Sequence, residues 1–285
     1  GSQQGELLLE ASLDPRPANK PLSGQFSLKG LQLEALHGFV PDFEQLQGLI
    51  EGQGRLSGTL LEPRIDGDIR LSQGEIGGGQ LPVMLEQLQL AVRIDGQQAR
   101  IEGGWRSGER GTASVHGALA WADELQAELQ LKGQALPVFV PPDADLLVAP
   151  DLQVNYDAQG LAVTGVVAVP SGSIVIKELP ADSVSVSSDA VVVGREPADD
   201  SVQVRMAVAV DVGSERLHFS GFGLTADVAG KLHIADNLTG RGVLELNKGR
   251  FRGYGQKLDL RRARLLFSGP LTQPYIDIEA VRVTG

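Results

Sequence analysis

The chain has 285 residues and a net charge of -11, and 42% of its residues are hydrophobic, which is enough to fold. The acidic balance argues against a nucleic-acid binder and against adhesion to an anionic membrane surface. Cysteine is absent and the four histidines share no ligand spacing, so thiolate sites are excluded and a zinc site is not expected.

The beginning of the chain suggests a piece of a larger protein. Gly1 and Ser2 are typical of a cloning scar. No apolar run reaches the roughly 18 residues of a spanning helix, and no signal peptide is visible, so we expect any membrane anchor to lie outside this chain. Residues 3–285 are expected to form a single elongated domain.

Helical periodicity is rare along the chain. The best candidate is "VPDFEQLQGLI", residues 40–50, because Phe39, Phe43, Leu46 and Ile50 have helical spacing after a Pro-Asp start. A second short helix near "LPVFVPPD" is possible, although its prolines disfavour it. We therefore predict one or two short helices.

Strict apolar/polar alternation covers most of the remaining sequence. In "SVQVRMAVAVDV" every second residue from Val202 to Val212 is apolar, and "GKLHI" and "KLDL" continue the pattern. Turn signals such as Asp95-Gly96 recur every eight to twelve residues, which suits antiparallel meanders. The sequence predicts an all-β chain of roughly twenty strands. Each strand is expected to have one polar face toward solvent and one apolar face.

Three decapeptides share one pattern of glycine and apolar residues. They are "GDIRLSQGEI" at 67, "GVVAVPSGSI" at 165 and "GVLELNKGRF" at 242. We interpret each as a strand, a glycine turn and the start of another strand, although chance recurrence in a glycine-rich β protein is the alternative. Their unequal spacing excludes the fixed period of a propeller or solenoid.

The Pro-rich stretch at 136–151 is the one plausible boundary. Composition and periodicity are the same on both sides of it, so we interpret it as a crossover within one domain.

No motif in the sequence indicates catalysis. A G-x-S-x-G elbow is absent, and "GFGLTA" at 221–226 is followed by a predicted strand rather than the helix of a dinucleotide site. The sequence therefore argues against an enzyme and predicts no cofactor and no metal.

A basic stretch lies between residues 241 and 264. It contains six arginines and two lysines but only two acidic residues. An ordinary solvated strand face would explain it, and contact with a phosphate headgroup or an acidic partner is the alternative. The residues predicted for that contact are Arg250, Arg252, Arg261 and Arg262.

The last fifty residues carry a specific signature. It comprises Gly249, Phe251 and Tyr254-Gly255-Gln256, then Leu265, Phe267 and Gly269-Pro270, then Pro274 and Ile276-Asp277-Ile278 with Ala280. In these motifs the chain resembles the C-terminal periplasmic part of the TamB family, within the AsmA-like, bridge-like lipid transport proteins. The resemblance is weaker between residue 137 and this signature. Before residue 130 it is limited to the general pattern of the sequence.

The resemblance implies a β-taco, which is an elongated antiparallel sheet curled into an open hydrophobic groove. It also implies the periplasmic portion of an inner-membrane-anchored protein in a Gram-negative bacterium. The expected partners are phospholipid acyl chains, a TamA-like outer-membrane barrel contacted through a part C-terminal to this chain, and nascent outer-membrane β-barrel proteins.

Two functions are compatible with these expectations. The first is a groove that conducts phospholipid, and the second is a scaffold that receives barrel strands at a sheet edge. The same alternation would also fit a filled β-sandwich. The residues predicted to line the groove are Val163, Val167, Val169, Val202, Val204, Met206, Val208, Val210, Leu232, Ile234, Leu244, Leu246, Leu258 and Leu260.

Overall fold

A computed structural model describes most of the chain. The described residues are 5–14, 16, 20–38, 43–78, 81–140, 144–176, 203–253 and 256–282. Gly1, Ser2, Phe39, Val202, Tyr254 and Gly255, all singled out in the sequence, lie outside them, as do residues 40–42 of the predicted helix.

The described residues form sixteen strands and two 3-10 helices, Leu33–Leu36 and Asp236–Leu238. The strands are β1 (Glu6–Leu13), β2 (Leu22–Gln32), β3 (Gln45–Gly58), β4 (Pro63–Gly77), β5 (Leu85–Gly96), β6 (Gln98–Ser107), β7 (Gly111–Ala120), β8 (Gln126–Gln134), β9 (Leu136–Val140), β10 (Ala144–Asp157), β11 (Gly160–Ile176), β12 (Val204–Gly221), β13 (Leu224–Ala235), β14 (Thr239–Gly253), β15 (Gln256–Pro270) and β16 (Tyr275–Arg282).

All sixteen strands belong to one sheet, and their spatial order follows the chain. The exception is β9, which lies beyond the end of β8 and pairs with the other half of β10. Every neighbouring pair is antiparallel except β11 and β12, which run parallel from Leu161↔Val204 to Ile176↔Gly221. The predicted elongated antiparallel sheet is confirmed, with this one parallel pair as the departure.

A row of register shifts crosses most of the sheet. We call this row the crease. A bulge bends its strand and increases the local twist, so these bulges fold the long strands that carry them into two walls. The shifts fall at Leu28/Leu31, Gln47/Leu49, Leu71/Gly74, Glu86/Gln89, Leu147/Ala149, Val169/Ser171, Val212/Leu217, Thr225/Asp227 and Leu260/Arg262.

The decapeptides mark this crease, and their predicted division into two strands is wrong. Each lies within a single strand, β4, β11 or β14. The residue before the second glycine is left-handed in two of them, with φ of 52° at Gln73 and 53° at Lys248. This conformation belongs to a bulge, so the strand bends and continues.

The second glycine of each decapeptide makes room for a leucine of a neighbouring strand. A β-carbon on Gly74 would lie 2.8 Å from Leu88 Cβ, and one on Gly172 would lie 3.0 Å from Leu146 Cδ2. The first distance is shorter than real side chains show, and a β-carbon on Gly172 would also lie only 2.5 Å from the Asp145 carbonyl oxygen. Glycine is therefore required here by close packing at the crease.

The helix predicted at 40–50 is wrong where the structure describes it, because Gln45–Gly58 is strand β3. Leu46 and Ile50 are four residues apart, a spacing that places two residues on one face of a strand as well as of a helix. Both lie on the same face of β3, opposite Ile76 and Leu71 of β4.

The predicted crossover at 136–151 contains β9 and the first half of β10, and residues 141–143 lie outside the described part. Leu136–Val140 is a strand, so a helix there is also wrong. The Phe139 N–H donates to the Pro82 carbonyl at 2.8 Å, which ties β9 to the segment before β5. The stretch is thus built into the sheet.

Candidate functional site

One face of the sheet is apolar, and we call it the trough face. It carries Val163, Val208, Leu232, Leu244 and Leu260. The registers link these residues from strand to strand, because Val208 lies opposite Ile234, Val210 opposite Leu232 and Val228 opposite Leu246. Cross-strand partners project to the same side of a sheet, so the apolar stripes of β11–β15 form one continuous surface.

The structure places every predicted lining residue that it describes on the trough face. Val202 lies outside the described residues. Val169, Val208, Leu232 and Leu246 are buried, whereas Val204, near the strand end, is 48% exposed. Exposure therefore increases from the interior of the sheet toward the margin formed by the strand ends, and we call each such margin a lip.

The sheet curls toward the trough face. Val212, Leu217 and Val228 are only 8%, 3% and 7% exposed. They pack with Leu146 of β10, which β11 separates from β12. A flat single layer would leave one face of these residues open to solvent, so the sheet must curve over them, and Leu146 reaches Leu217 over Gly172, which lies between them in the register.

The trough face is not covered by a second sheet of the described residues, since all sixteen strands lie in one sheet. Among the described side chains, Ser107 alone has less than 2% of its surface exposed. The buried apolar residues form small clusters along the crease, such as Ala226, Leu246 and Ala263. The described part is therefore an unclosed curl rather than a filled sandwich.

The opposite, polar face carries the ion pairs. Lys231 Nζ lies 3.3 Å from Asp211 Oδ2, and Lys132 Nζ lies 3.4 Å from Asp151 Oδ2. Such exposed pairs contribute little stability individually. Their charges favour hydration of this face, so the apolar face is the one available for packing or binding.

Asp227 is the centre of a larger network on the polar face. Arg216 Nε donates to its Oδ1 at 3.3 Å, His218 Nδ1 lies 3.4 Å from the same oxygen, and Lys248 Nζ lies 3.6 Å from Oδ2. Burial alone would raise the pKa of Asp227, but the His218 and Arg216 hydrogen bonds and the nearby cations hold this pKa below its usual 3.8. The network joins β12, β13 and β14 behind the crease.

The four predicted headgroup arginines lie in different surroundings. Arg250 and Arg252 are exposed on the polar face of β14, near its hairpin with β15. Arg261 is the extra residue of the β15 bulge. Arg262 is already paired, with Nε 3.3 Å from Asp277 and Nη2 3.9 Å from Glu279. The structure therefore brings Arg250 and Arg252 together and engages Arg262 elsewhere.

Sequence reasoning missed the trough face of the first ten strands and the basic residue Arg282, and it counted Lys257 in the basic stretch without assigning it to the predicted contact. Alternation would have found the apolar residues. They include Leu28, Ile50, Ile69, Val92, Ile101, Val115, Leu129, Leu131, Leu152 and Val154.

A cavity of about 410 Å³ lies elsewhere, at the strand ends of β5–β8. Its lining includes Arg93, Asp95, Arg100 and Glu128. The mixture of opposite charges makes it unlike the trough face. Among the described residues, no grouping of histidine or acidic side chains could hold a metal ion.

No helix of the described part is both long and apolar enough to cross a membrane.

Comparison with known proteins identifies the family. The model of the TamB C-terminal domain matches residues 99–285, and that of the TamB N-terminal domain matches residues 1–71. A translocation and assembly module subunit TamB from Haemophilus influenzae is 24% identical over 298 aligned residues, which cover 98% of this chain and 23% of that protein. The chain thus spans about a quarter of this relative's length. With a family model matching well over half of its residues, the chain belongs to the TamB family.

Proposed function

We propose that the trough face binds phospholipid acyl chains and conducts them along the sheet, between the inner and outer membranes of a Gram-negative bacterium. In this proposal the chain is a periplasmic portion of a membrane-anchored protein. The observation that carries it is the continuous apolar face, which passes from strand to strand in chain order and is not covered by a second sheet of described residues.

The chemistry of the trough face suits movement better than storage. Its residues are mostly valine, leucine and isoleucine, which offer no polar group to fix a ligand in one place. Each buried CH₂ of an acyl chain contributes about 0.8 kcal/mol, so a tail is held while it can slide. At a strand spacing of about 4.8 Å, fifteen successive strands extend over roughly 70 Å.

Photocrosslinking tests the proposal. A crosslinker at Val167, on the trough face, should capture phospholipid in cells, whereas one at Ala168, its neighbour on the polar face, should not. Mass spectrometry of lipid that co-purifies with the protein provides an independent measure. The proposal would be contradicted if the two positions captured phospholipid equally and the purified protein carried no lipid in mass spectrometry.

A scaffold for outer-membrane β-barrel insertion, acting with a TamA-like barrel, is the second candidate. It is favoured by β16, which pairs on one edge only among the described strands and exposes Tyr275, Ile276 and Ile278 by 73%, 57% and 47%. Such an edge can accept an added strand. In this case Ile278→Pro should impair barrel insertion more than a charge within the trough does, with the opposite order expected for lipid conduction.

A further inference from the structure

Four basic residues gather at one end of the trough, where β14, β15 and β16 reach the same lip. They are Arg250 and Arg252 near the end of β14, Lys257 at the start of β15 and Arg282 at the end of β16, and we call them the basic lip. All four are exposed.

Arg282 lies on the trough face itself. It is the register partner of Leu258, and the preceding trough-face residues of β16 are Ile276, Ile278 and Ala280. Among the described residues that have register partners, it is the one charge on that face. An apolar stripe therefore ends on a cation at the lip.

Arg252 and Lys257 lie directly opposite one another across β14 and β15. Like charges in this position destabilise a sheet. Their nearest polar-face neighbours along the strands are Arg250 and Asp259, so three cations share one carboxylate. No carboxylate of the described residues lies within 4.0 Å of a charged nitrogen of the basic lip.

Another pair of like charges in the sheet, Arg93 and Arg100, is flanked by carboxylates in the strand register. Among the described residues, none of these carboxylates lies within 4.0 Å of either guanidinium. These two residues also lie directly opposite one another, on β5 and β6. Asp68 of β4 is the partner of Arg93, and Glu128 of β8 lies two strands from Arg100. A carboxylate therefore lies on each side of this pair, an arrangement that the basic lip lacks among the described residues.

The opposite lip of the same strands has no matching charge on its trough face. There the trough face ends on Ile234 of β13, Gly240 of β14, Gly269 of β15 and Ile276 of β16. On the trough face an amphiphile would meet the cation Arg282 at one lip and apolar groups at the other, while Arg252 and Lys257 border the first lip from the polar face. The two lips therefore favour one orientation of its polar end.

We propose that the basic lip binds the phosphate of an anionic phospholipid whose acyl chains lie on the trough face, an inference that rests on the proposed function. A guanidinium can donate two parallel hydrogen bonds to phosphate oxygens, and Lys257 adds a point charge. An occupied lip would relieve the repulsion between Arg252 and Lys257. The trough is thus selective for a net negative headgroup and orients it toward this lip.

Competition between two lipids tests the proposal. Purified protein is equilibrated with mixed micelles of phosphatidylglycerol and phosphatidylcholine that carry identical acyl chains, and bound lipid is quantified by mass spectrometry. Wild-type protein should enrich phosphatidylglycerol, and R252E/K257E should lower that enrichment about fivefold. Total bound lipid should be unchanged, because the trough face is intact.

Three further variants separate the role of the basic lip from effects on folding and on net charge. R93E/R100E makes the same charge change on the same face and should keep the wild-type enrichment. R252Q/K257Q introduces no new charge and should give an intermediate value, while Arg282→Gln alone should give a smaller loss. Circular dichroism and thermal unfolding identify any variant that has not folded.

The outcomes separate the two proposals. Unchanged enrichment in folded R252E/K257E overturns the assignment of the basic lip while leaving lipid binding in place. Absence of both lipids from wild-type protein overturns the proposed function and this inference with it. If wild-type protein shows no preference between the lipids but binds polyglutamate through Arg252 and Lys257, the lip serves an acidic protein and the lipid assignment is wrong.

Discussion

Gly249 of β14 lies against Leu260 of β15 so closely that a β-carbon on Gly249 would be 2.7 Å from Leu260 Cδ1 and 3.0 Å from its Cβ. Gly249→Ala should therefore destabilise the protein by about 1–3 kcal/mol, the usual cost of overpacking. Urea unfolding measures this loss.

Gly269, in the same strand pair, is the control for that substitution. A β-carbon there would meet nothing within 4 Å, and its φ is not positive. Gly269→Ala should leave the free energy of unfolding within about 0.5 kcal/mol of wild type. Equal losses at both positions would show that the crease does not depend on a close approach at Gly249.

A charge on the trough face should reduce lipid binding. Val208 is 8% exposed, and burying an unpaired carboxylate there costs several kcal/mol. Val208→Asp should lower bound lipid at least about tenfold, measured by mass spectrometry of the purified protein.

Ala209→Asp places the same charge on the polar face, one residue along β12, and should keep wild-type lipid content. If Val208→Asp does not fold, Val204→Asp changes the same face at a residue that is already 48% exposed. Full lipid content in a folded Val204→Asp variant would contradict a trough-bound tail.

Acid should weaken the network around Asp227. Its pKa is lower in the folded protein than the usual 3.8, so its contribution to stability is complete above that value and is lost as the pH falls through the folded-state pKa. Asp227→Asn should be less stable than wild type at pH 6, and the difference should shrink below about pH 4.

Urea unfolding at several pH values measures that difference. Asp68→Asn is the control, since no cation of the described residues lies within 4.0 Å of the Asp68 carboxylate. A gap between Asp227→Asn and wild type that stays constant down to pH 2 would rule out this linkage.

Asp277 should be important for the β15–β16 pair. Arg264 Nη2 donates to its Oδ2 at 2.7 Å, while Arg264 Nε is buried without a partner. The Arg264 hydrogen bond outweighs burial and, together with the Arg262 charge, lowers the pKa of Asp277. Asp277→Asn should lower Tm more than Glu279→Gln, whose carboxylate is 3.9 Å from Arg262. Equal Tm values would contradict this ranking.

Alternation alone was enough to predict which face each residue of β12 presents from Val204 to Val212, before the register shift at Val212/Leu217. Val204, Val208 and Val212 share one face as expected, since the period of a strand is two and Asp211 falls between them. The all-β class follows from the same signal. The face to which a side chain projects can therefore be predicted from sequence wherever apolar and polar residues alternate along a strand.

The crease and the parallel pair were not predictable from that signal. A bulge such as Lys248 adds one residue without changing composition, so the decapeptide resembles a turn. Alternation is also identical in parallel and antiparallel pairs, so it cannot show that β11 is followed by a strand in the same direction. Arg282 was overlooked because its meaning depends on its register with Leu258.

The single parallel pair has a mechanical consequence. Tension transmitted along the chain breaks the hydrogen bonds of an antiparallel hairpin one after another, because the two strand ends under tension lie at the same lip. Gly160, where the chain enters β11, and Gly221, where it leaves β12, lie at opposite lips of this pair. Tension applied there pulls the two strands past each other and strains all their hydrogen bonds together. A molecule stretched from its ends would therefore unravel on either side before it yields at this joint.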